Sequence, residues 1–147
     1  MYNDRRSSLT AVFEDTLKQI ETNERLAALT EQGCKGAHFY SEGYSSNLRK
    51  QPNTAPNVAV TKARTFEAAM RVKKSHPDWR VGVLNFASAT NPGGGVKNGS
   101  SAQEECLCRC SNLYPMLNQK WLWDMYYRKN RAANNCSQYR LPLKFIQ

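Results

Sequence analysis

Two adjacent carboxylates follow a run of glycines in the middle of the chain, and these residue types could together do chemistry. The glycines are residues 93–95, and Glu104 and Glu105 stand near the start of a predicted helix. Glycine lets the backbone approach a ligand closely because it carries no Cβ, and amides beside a helix N-terminus favour an anion. A carboxyl group beside them could protonate a leaving oxygen. The pattern therefore suits cleavage of a glycosidic bond in a phosphorylated sugar.

Each carboxylate also has a structural explanation. Ser101 and Glu104 have the spacing of a capping box, in which both side chains bind backbone amides of the first helical turn. Glu105 stands four residues before Arg109, so the two could form a surface ion pair worth about 0.3–0.5 kcal/mol. Taken alone, the residue pattern favours these structural roles.

The glycine run does not match two well-known nucleotide-binding loops. Gly94 and Gly99 have the spacing of a P-loop, but Ser100 occupies the position of its lysine. A dinucleotide-binding fingerprint would need glycine at position 98, which is Asn98. Hydrolysis of nucleoside triphosphates is therefore not expected.

Composition indicates a single domain without a membrane segment. The chain has 147 residues and a formal net charge of +9, and it is long enough for an ordinary core. The Lys and Arg residues are scattered, which we interpret as a solvated basic surface rather than a nucleic-acid site. No stretch approaches the ~20 apolar residues of a membrane span, and the polar start has no signal-peptide core. We expect a cytoplasmic protein.

The cysteines indicate neither a metal nor a disulfide framework. The chain has five of them, an odd number, and Cys106, Cys108 and Cys110 alternate within one predicted helix. Residues two apart on a helix point to roughly opposite sides, so these three cannot share a metal. We expect buried, reduced thiols, with no metal and no cofactor.

Predicted strands and helices alternate around the glycine run, which favours an α/β fold. The predicted helices are Leu9–Leu29 with Ser8 as N-cap, Phe66 to about Ser75 capped by Thr65, and Gln103 to about Leu113. The aromatic-rich segment Asn118–Asn130 is predicted to be a last helix or a turn. The predicted strands are Asn57–Thr61 and Trp79–Phe86, the latter short and apolar. Two strands are too few to complete a sheet, so the fold is predicted to be truncated.

The region around the glycines resembles a known family. Residues 93–95, a spacer of seven residues and then Gln103-Glu104-Glu105 resemble the GGG-x(6–8)-QEE signature of poly(ADP-ribose) glycohydrolases. The flanks LNFASATNPGGGV and SSAQEECLCRCSNLYP resemble the microbial-type branch of that family. A weaker likeness covers Arg6–Ile20, TKARTFEAA and WDMYYRKNRAA.

The resemblance implies a fold, an activity and a set of site residues. The fold would be a macrodomain-like mixed sheet with flanking helices, and the ligand ADP-ribose or poly(ADP-ribose), free or on an ADP-ribosylated protein. Glu105 would be the general acid and base that cleaves the ribose–ribose bond, with Glu104 as its catalytic neighbour. The implied substrate-binding residues are Gly93, Gly94, Gly95, Val96, Gln103 and Asn91.

The chain departs from the family pattern at its C-terminal end. Family members continue by about another half of the domain, whereas residues 134–147 form a divergent tail. We therefore interpret residues 1–147 as one partial catalytic domain. A non-catalytic ADP-ribose-binding module, an inactive truncated fragment and a basic nucleic-acid binder remain alternatives.

Overall fold

The computed structural model describes residues 2–40 and 55–133 of the chain. The helices of these ranges are α1 Tyr2–Thr22, α2 Glu24–Lys35, α3 Thr65–Ser75, α4 Gln103–Arg109, α5 Leu113–Leu117, α6 Lys120–Leu122 and α7 Arg128–Ala132, with a 3-10 turn at Val96–Asn98 and a π-helical stretch at Trp123–Tyr127. None of them combines the length and the apolar character needed to cross a membrane. The predicted divergent tail lies outside the described residues.

Neither predicted strand forms in the described part of the chain, so the prediction of an α/β fold with a macrodomain-like mixed sheet is wrong there. Residues 81–86 do alternate between half-buried and exposed positions, as a strand would. In the other segment, Val58 and Val60 are 78% and 95% exposed. A strand is defined by its pairing, and apolar alternation in one segment does not supply a partner.

The predicted helix Leu9–Leu29 is two helices with a break at Asn23. The Asn23 side chain accepts a hydrogen bond from the amide of Leu26 at 3.1 Å and so caps the start of α2. Ser8 is not an N-cap, because α1 begins at Tyr2 and the Ser8 hydroxyl donates to the Asp4 carbonyl inside the helix.

Helix α3 ends at Ser75, as its His76-Pro77 sequence predicts. It begins one residue earlier than expected, because Thr65 is its first residue rather than its cap. Glu67 accepts from the amide of Arg64 at 3.1 Å and closes the first turn.

The main core joins α1 to the region of the glycines and carboxylates. Phe13 of α1 meets Tyr114 of α5 edge to face, with ring centroids 5.0 Å apart. The buried members of this main core are Phe13, Val96, Leu107, Cys108, Leu113, Tyr114 and Leu117. This core fixes α4 and the 3-10 turn against α1, so burial of apolar side chains holds both parts of the candidate site in place.

A second core consists mostly of aromatic residues. Leu122, Tyr126 and Tyr127 are buried, and Phe39, Trp121 and Trp123 pack against them. The aromatic-rich segment Asn118–Asn130, for which the sequence predicts a helix or a turn, is helical over most of its length, with the π-helical stretch in its middle. This helical segment ends in α7, which contacts the residues just before the glycines.

The thiols of Cys106, Cys108 and Cys110 differ in exposure. Cys108 is fully buried in the main core. Cys106 and Cys110 are exposed, so the expectation that all three are buried is wrong. All three, together with Cys34, are free thiols.

Candidate active site

The glycine loop (residues 91–99) begins with a tight turn. The amide of Gly94 donates to the carbonyl of Asn91 at 3.0 Å, with Pro92 and Gly93 between them. Gly93 has φ +70°, and proline followed by a glycine of positive φ is the arrangement of a type II turn. The turn brings the next backbone amides toward α4.

Gly94 and Gly95 bring the backbone directly against Glu105. The amide of Gly95 donates to Oε1 of Glu105 at 2.9 Å. A Cβ at Gly94 would lie 2.5 Å from the same oxygen, and Gly94 has φ +57°. Since a side chain would be both strained and in collision, this position requires glycine.

Glu105 is buried, at 8% exposure, and does not pair with Arg109. The Arg109 guanidinium instead donates to the Ser100 carbonyl at 2.6 Å and to the Cys106 sulfur at 3.3 Å. The predicted surface ion pair is therefore wrong. Glu105 instead accepts from the Gly95 amide and lines a cleft.

Glu104 is also buried, at 3% exposure, and binds the segment before the glycine loop. It accepts from the Ser88 amide at 2.8 Å and from the Asn85 carboxamide at 3.3 Å. The predicted capping box with Ser101 is wrong, because α4 begins at Gln103 and no side chain caps it. Burial raises the pKa of Glu104, and its hydrogen bonds from Ser88 and Asn85 only partly oppose this.

Gln103 binds backbone rather than open space. Its side-chain oxygen accepts from the Phe86 amide at 2.9 Å, and its nitrogen donates to the Leu84 carbonyl at 2.8 Å. A longer contact of 3.4 Å joins it to the Thr65 hydroxyl at the start of α3. Gln103 thereby attaches α4 to residues 81–86.

A cleft of about 450 Å³ lies where these elements meet. It is lined by Phe86, Ser88, Asn91, Gly94, Gly95, Asn98, Ala102, Glu104 and Glu105. The structure thus brings five of the eight predicted site residues to one surface. Gly93, Val96 and Gln103 lie outside the lining, and Val96 is fully buried in the main core. Within the described ranges, no three His, Cys, Asp or Glu side chains are grouped to hold a metal ion.

Comparison with known proteins identifies a matching family. A family model described as microbial-type PARG, catalytic domain, matches residues 9–140. The chain belongs to the microbial-type poly(ADP-ribose) glycohydrolase family. This confirms the resemblance carried by the GGG-x7-QEE spacing. No curated protein matches the chain.

A solved structure of this enzyme class is also similar. The X-ray crystal structure of poly(ADP-ribose) glycohydrolase from Thermomonospora curvata shares 27% sequence identity with the chain, at a TM-score of 0.68. The alignment covers 87% of this chain and 50% of that one. The chain therefore spans about half the length of that glycohydrolase.

Some residues that shape the cleft gave no signal in the sequence. Ser88 and Asn85 bind Glu104, and Arg131 of α7 donates to Thr90 and Asn91 at the start of the loop. Single polar residues between apolar neighbours have many possible roles. Only the tertiary contacts select one of them.

Proposed function

We propose that this chain binds ADP-ribose units in the cleft and hydrolyses the ribose–ribose O-glycosidic bond of poly(ADP-ribose). The observation that carries the proposal is the position of Glu105, a buried carboxyl in the cleft that accepts from the Gly95 amide. Membership of the glycohydrolase family supports the choice of substrate. In the cytoplasm, an ADP-ribosylated protein would present such ADP-ribose units to the cleft.

The proposed reaction uses one carboxyl group twice. Protonated Glu105 donates its proton to the departing ribose oxygen, which keeps the electron pair of the broken bond. The sugar left behind is an oxocarbenium-like centre. The Glu105 carboxylate then takes a proton from the attacking water, whose oxygen bonds to that centre, so the net change is the addition of one water. Glu104 orients ribose hydroxyls beside it.

The backbone of the glycine loop has a separate role in this proposal. Gly94 and Gly95 line the cleft beside Glu105, so a diphosphate lying along the loop would meet backbone rather than side chains. The Gly94 and Gly95 amides already donate to Asn91 and Glu105, so the loop would contribute the close approach of a backbone without side chains rather than free donors. The loop would thus fix the ribose of the scissile bond close to the acid.

The test is thermal unfolding of the 147-residue chain with and without ADP-ribose, followed by an assay for ADP-ribose released from the polymer. A ligand that binds only the native state stabilises it by about 2.7 kcal/mol at a hundredfold excess over Kd. We expect a concentration-dependent rise in Tm and product release that depends on Glu105. An unchanged Tm at millimolar ADP-ribose would refute the proposed site.

A binding module without turnover is the second candidate function, and one observation favours it. Phe86, which lines the cleft, is 70% exposed, and its neighbour Leu84 is 60% exposed. This side of the cleft is therefore open to water, whereas active sites of this kind gain from excluding it. A rise in Tm without product release would identify the binding module.

A further inference from the structure

Arg131 reaches the start of the glycine loop from a distant part of the sequence. It lies on α7, forty residues after Asn91. Its Nε donates to the Thr90 carbonyl at 2.9 Å, and its Nη2 donates to the Asn91 side-chain oxygen. Its guanidinium also lies 4.8 Å from the ring centroid of Trp123. The group is thus held by the second core and by the loop at once.

Asn91 transmits this contact to the rest of the loop. Its carbonyl accepts the hydrogen bond that closes the turn to Gly94, and its side-chain nitrogen donates to the Thr90 hydroxyl at 3.1 Å. Asn91 also lines the cleft. Any shift of Asn91 would therefore displace Gly94 and, through the next amide, the hydrogen bond to Glu105.

We infer that Arg131 is a positioning residue that fixes Asn91 and the first turn of the glycine loop, and so sets the shape of the ADP-ribose cleft. The inference rests on the proposed function for its ligand, but not for its geometry. Arginine suits the role because its planar fork donates to two acceptors in fixed directions, whereas lysine supplies a single point charge. Both acceptors on the loop are neutral oxygens, so the arrangement depends on direction more than on charge.

The chain offers a matched control for this arginine. Arg128 lies on the same helix, carries the same charge and pairs with Asp124, four residues earlier in the chain. Replacement of either arginine by glutamine removes one positive charge from α7. Only Arg131→Gln removes the contacts to Thr90 and Asn91.

The first experiment needs no ligand. Hydrogen exchange of peptides covering residues 90–96 would be measured in the wild type, Arg131→Gln, Arg131→Lys and Arg128→Gln. We expect faster exchange of the Gly94 amide region in both Arg131 variants and wild-type exchange in Arg128→Gln. Unchanged exchange in the Arg131 variants, or equal acceleration in all three, would overturn the inference.

The second experiment measures the Kd for ADP-ribose by calorimetry in the same proteins. We expect Arg131→Gln to weaken binding about tenfold, the scale of one hydrogen bond to a charged group, and Arg131→Lys to restore little of it. Arg128→Gln should bind within about twofold of wild type, as surface substitutions usually have small effects. Full rescue by lysine, or wild-type affinity in both Arg131 variants, would contradict a directional role.

A double-mutant cycle tests whether Arg131 acts through Asn91. Arg131→Gln, Asn91→Ala and the double variant are compared for ADP-ribose affinity, since contacting residues give non-additive losses. We expect the double variant to bind little worse than Asn91→Ala, and losses that multiply would refute the pathway. If the wild type bound no ADP-ribose while exchange rose only in the Arg131 variants, the proposed function would fail and the positioning role would stand.

Discussion

Oε1 of Glu105 accepts a hydrogen bond from the amide of Gly95 at 2.9 Å, and a Cβ on Gly94 would lie 2.5 Å from the same oxygen. The candidate acid and the glycine loop that lines the cleft are therefore in direct contact. A change in the loop alters the position of the acid, and a change in the acid removes a partner of the loop. Substitutions at Glu105 and at Gly94 separate these effects.

Glu105→Gln should abolish turnover and leave ADP-ribose affinity within about threefold. The amide oxygen of glutamine can still accept from Gly95, but glutamine cannot transfer a proton, and loss of a general acid typically costs 10²–10⁴-fold in rate. The measurements are ADP-ribose release and calorimetric Kd, with the exposed Glu14→Gln as control. Wild-type rates in Glu105→Gln would exclude it as the acid.

Gly94→Ala should lower both the free energy of unfolding and ADP-ribose affinity. The new Cβ would meet Glu105 at a positive φ, and strain of this kind costs about 1–3 kcal/mol. Gly82→Ala is the matched control, because nothing lies within 4 Å of its Cβ position and its φ is not positive. Urea unfolding of both variants tests this, and equal stabilities would contradict the described loop geometry.

Glu104→Gln should destabilise the chain by about 1–3 kcal/mol. Glutamine places an NH₂ group where two donors, the Ser88 amide and the Asn85 carboxamide, now share one carboxylate. Either the glutamine NH₂ faces a donor, or the Asn85 carboxamide turns and leaves its own NH₂ at the buried position where its oxygen now has no partner among the described residues. Urea unfolding at pH 7, with the exposed Glu21→Gln as control, measures the effect. An unchanged midpoint would remove the structural role assigned to Glu104.

The difference in stability between the wild type and Glu104→Gln should also depend on pH in a definite direction. Burial raises the pKa of Glu104 in the folded chain, so the folded state binds this proton more tightly than the unfolded state does. The contribution of this raised pKa to the free energy of unfolding is greatest below the ordinary Glu pKa of 4.5. It is lost as the pH rises through the pKa of Glu104 in the folded chain. The stability of wild type minus that of Glu104→Gln should therefore shrink from pH 4.5 upward. A difference that grows with pH would contradict the raised pKa.

Thiol labelling should separate the cysteines of α4. Cys106 is exposed, whereas Cys108 is fully buried, and burial raises the pKa of its thiol, with the Glu104 and Glu105 carboxylates adding to the effect. Alkylation at pH 8 followed by peptide mass spectrometry should modify Cys106 first and Cys108 only on unfolding. Rapid labelling of Cys108 in the native chain would show that the main core is not formed as described.

Family membership and most helices could be predicted from the sequence, because both depend on local patterns. The GGG-x7-QEE spacing is one contiguous signal, and the His76-Pro77 stop acts on its own helix. The break at Asn23 was missed because the apolar stripe of α1 continues past it. Only the cap from Asn23 to Leu26 reveals a second helix.

The wrong predictions share a different cause, which is competition between partners. Ser101 and Arg109 are the nearest partners of the two glutamates in sequence, and local rules favour them. The folded chain instead offers Ser88, Asn85 and Gly95, which bind the carboxylates from other segments. The predicted sheet is absent from residues 2–40 and 55–133 for the same reason, since residues 81–86 bind the Gln103 side chain there rather than a second strand.

The paired contacts of Gln103 with Leu84 and Phe86 also fix how residues 81–88 are aligned along α4. A slip of one residue would shift this segment by about 3.3 Å and turn its carbonyls and amides to the opposite side, so the Ser88 amide would no longer face Glu104. Gln103 prevents such a slip because one side chain both donates and accepts, as a carboxylate or an ammonium cannot. Gln103 of the QEE signature thus determines how residues 81–88 are aligned along α4, and the hydrogen bonds of its neighbour Glu104 depend on that alignment.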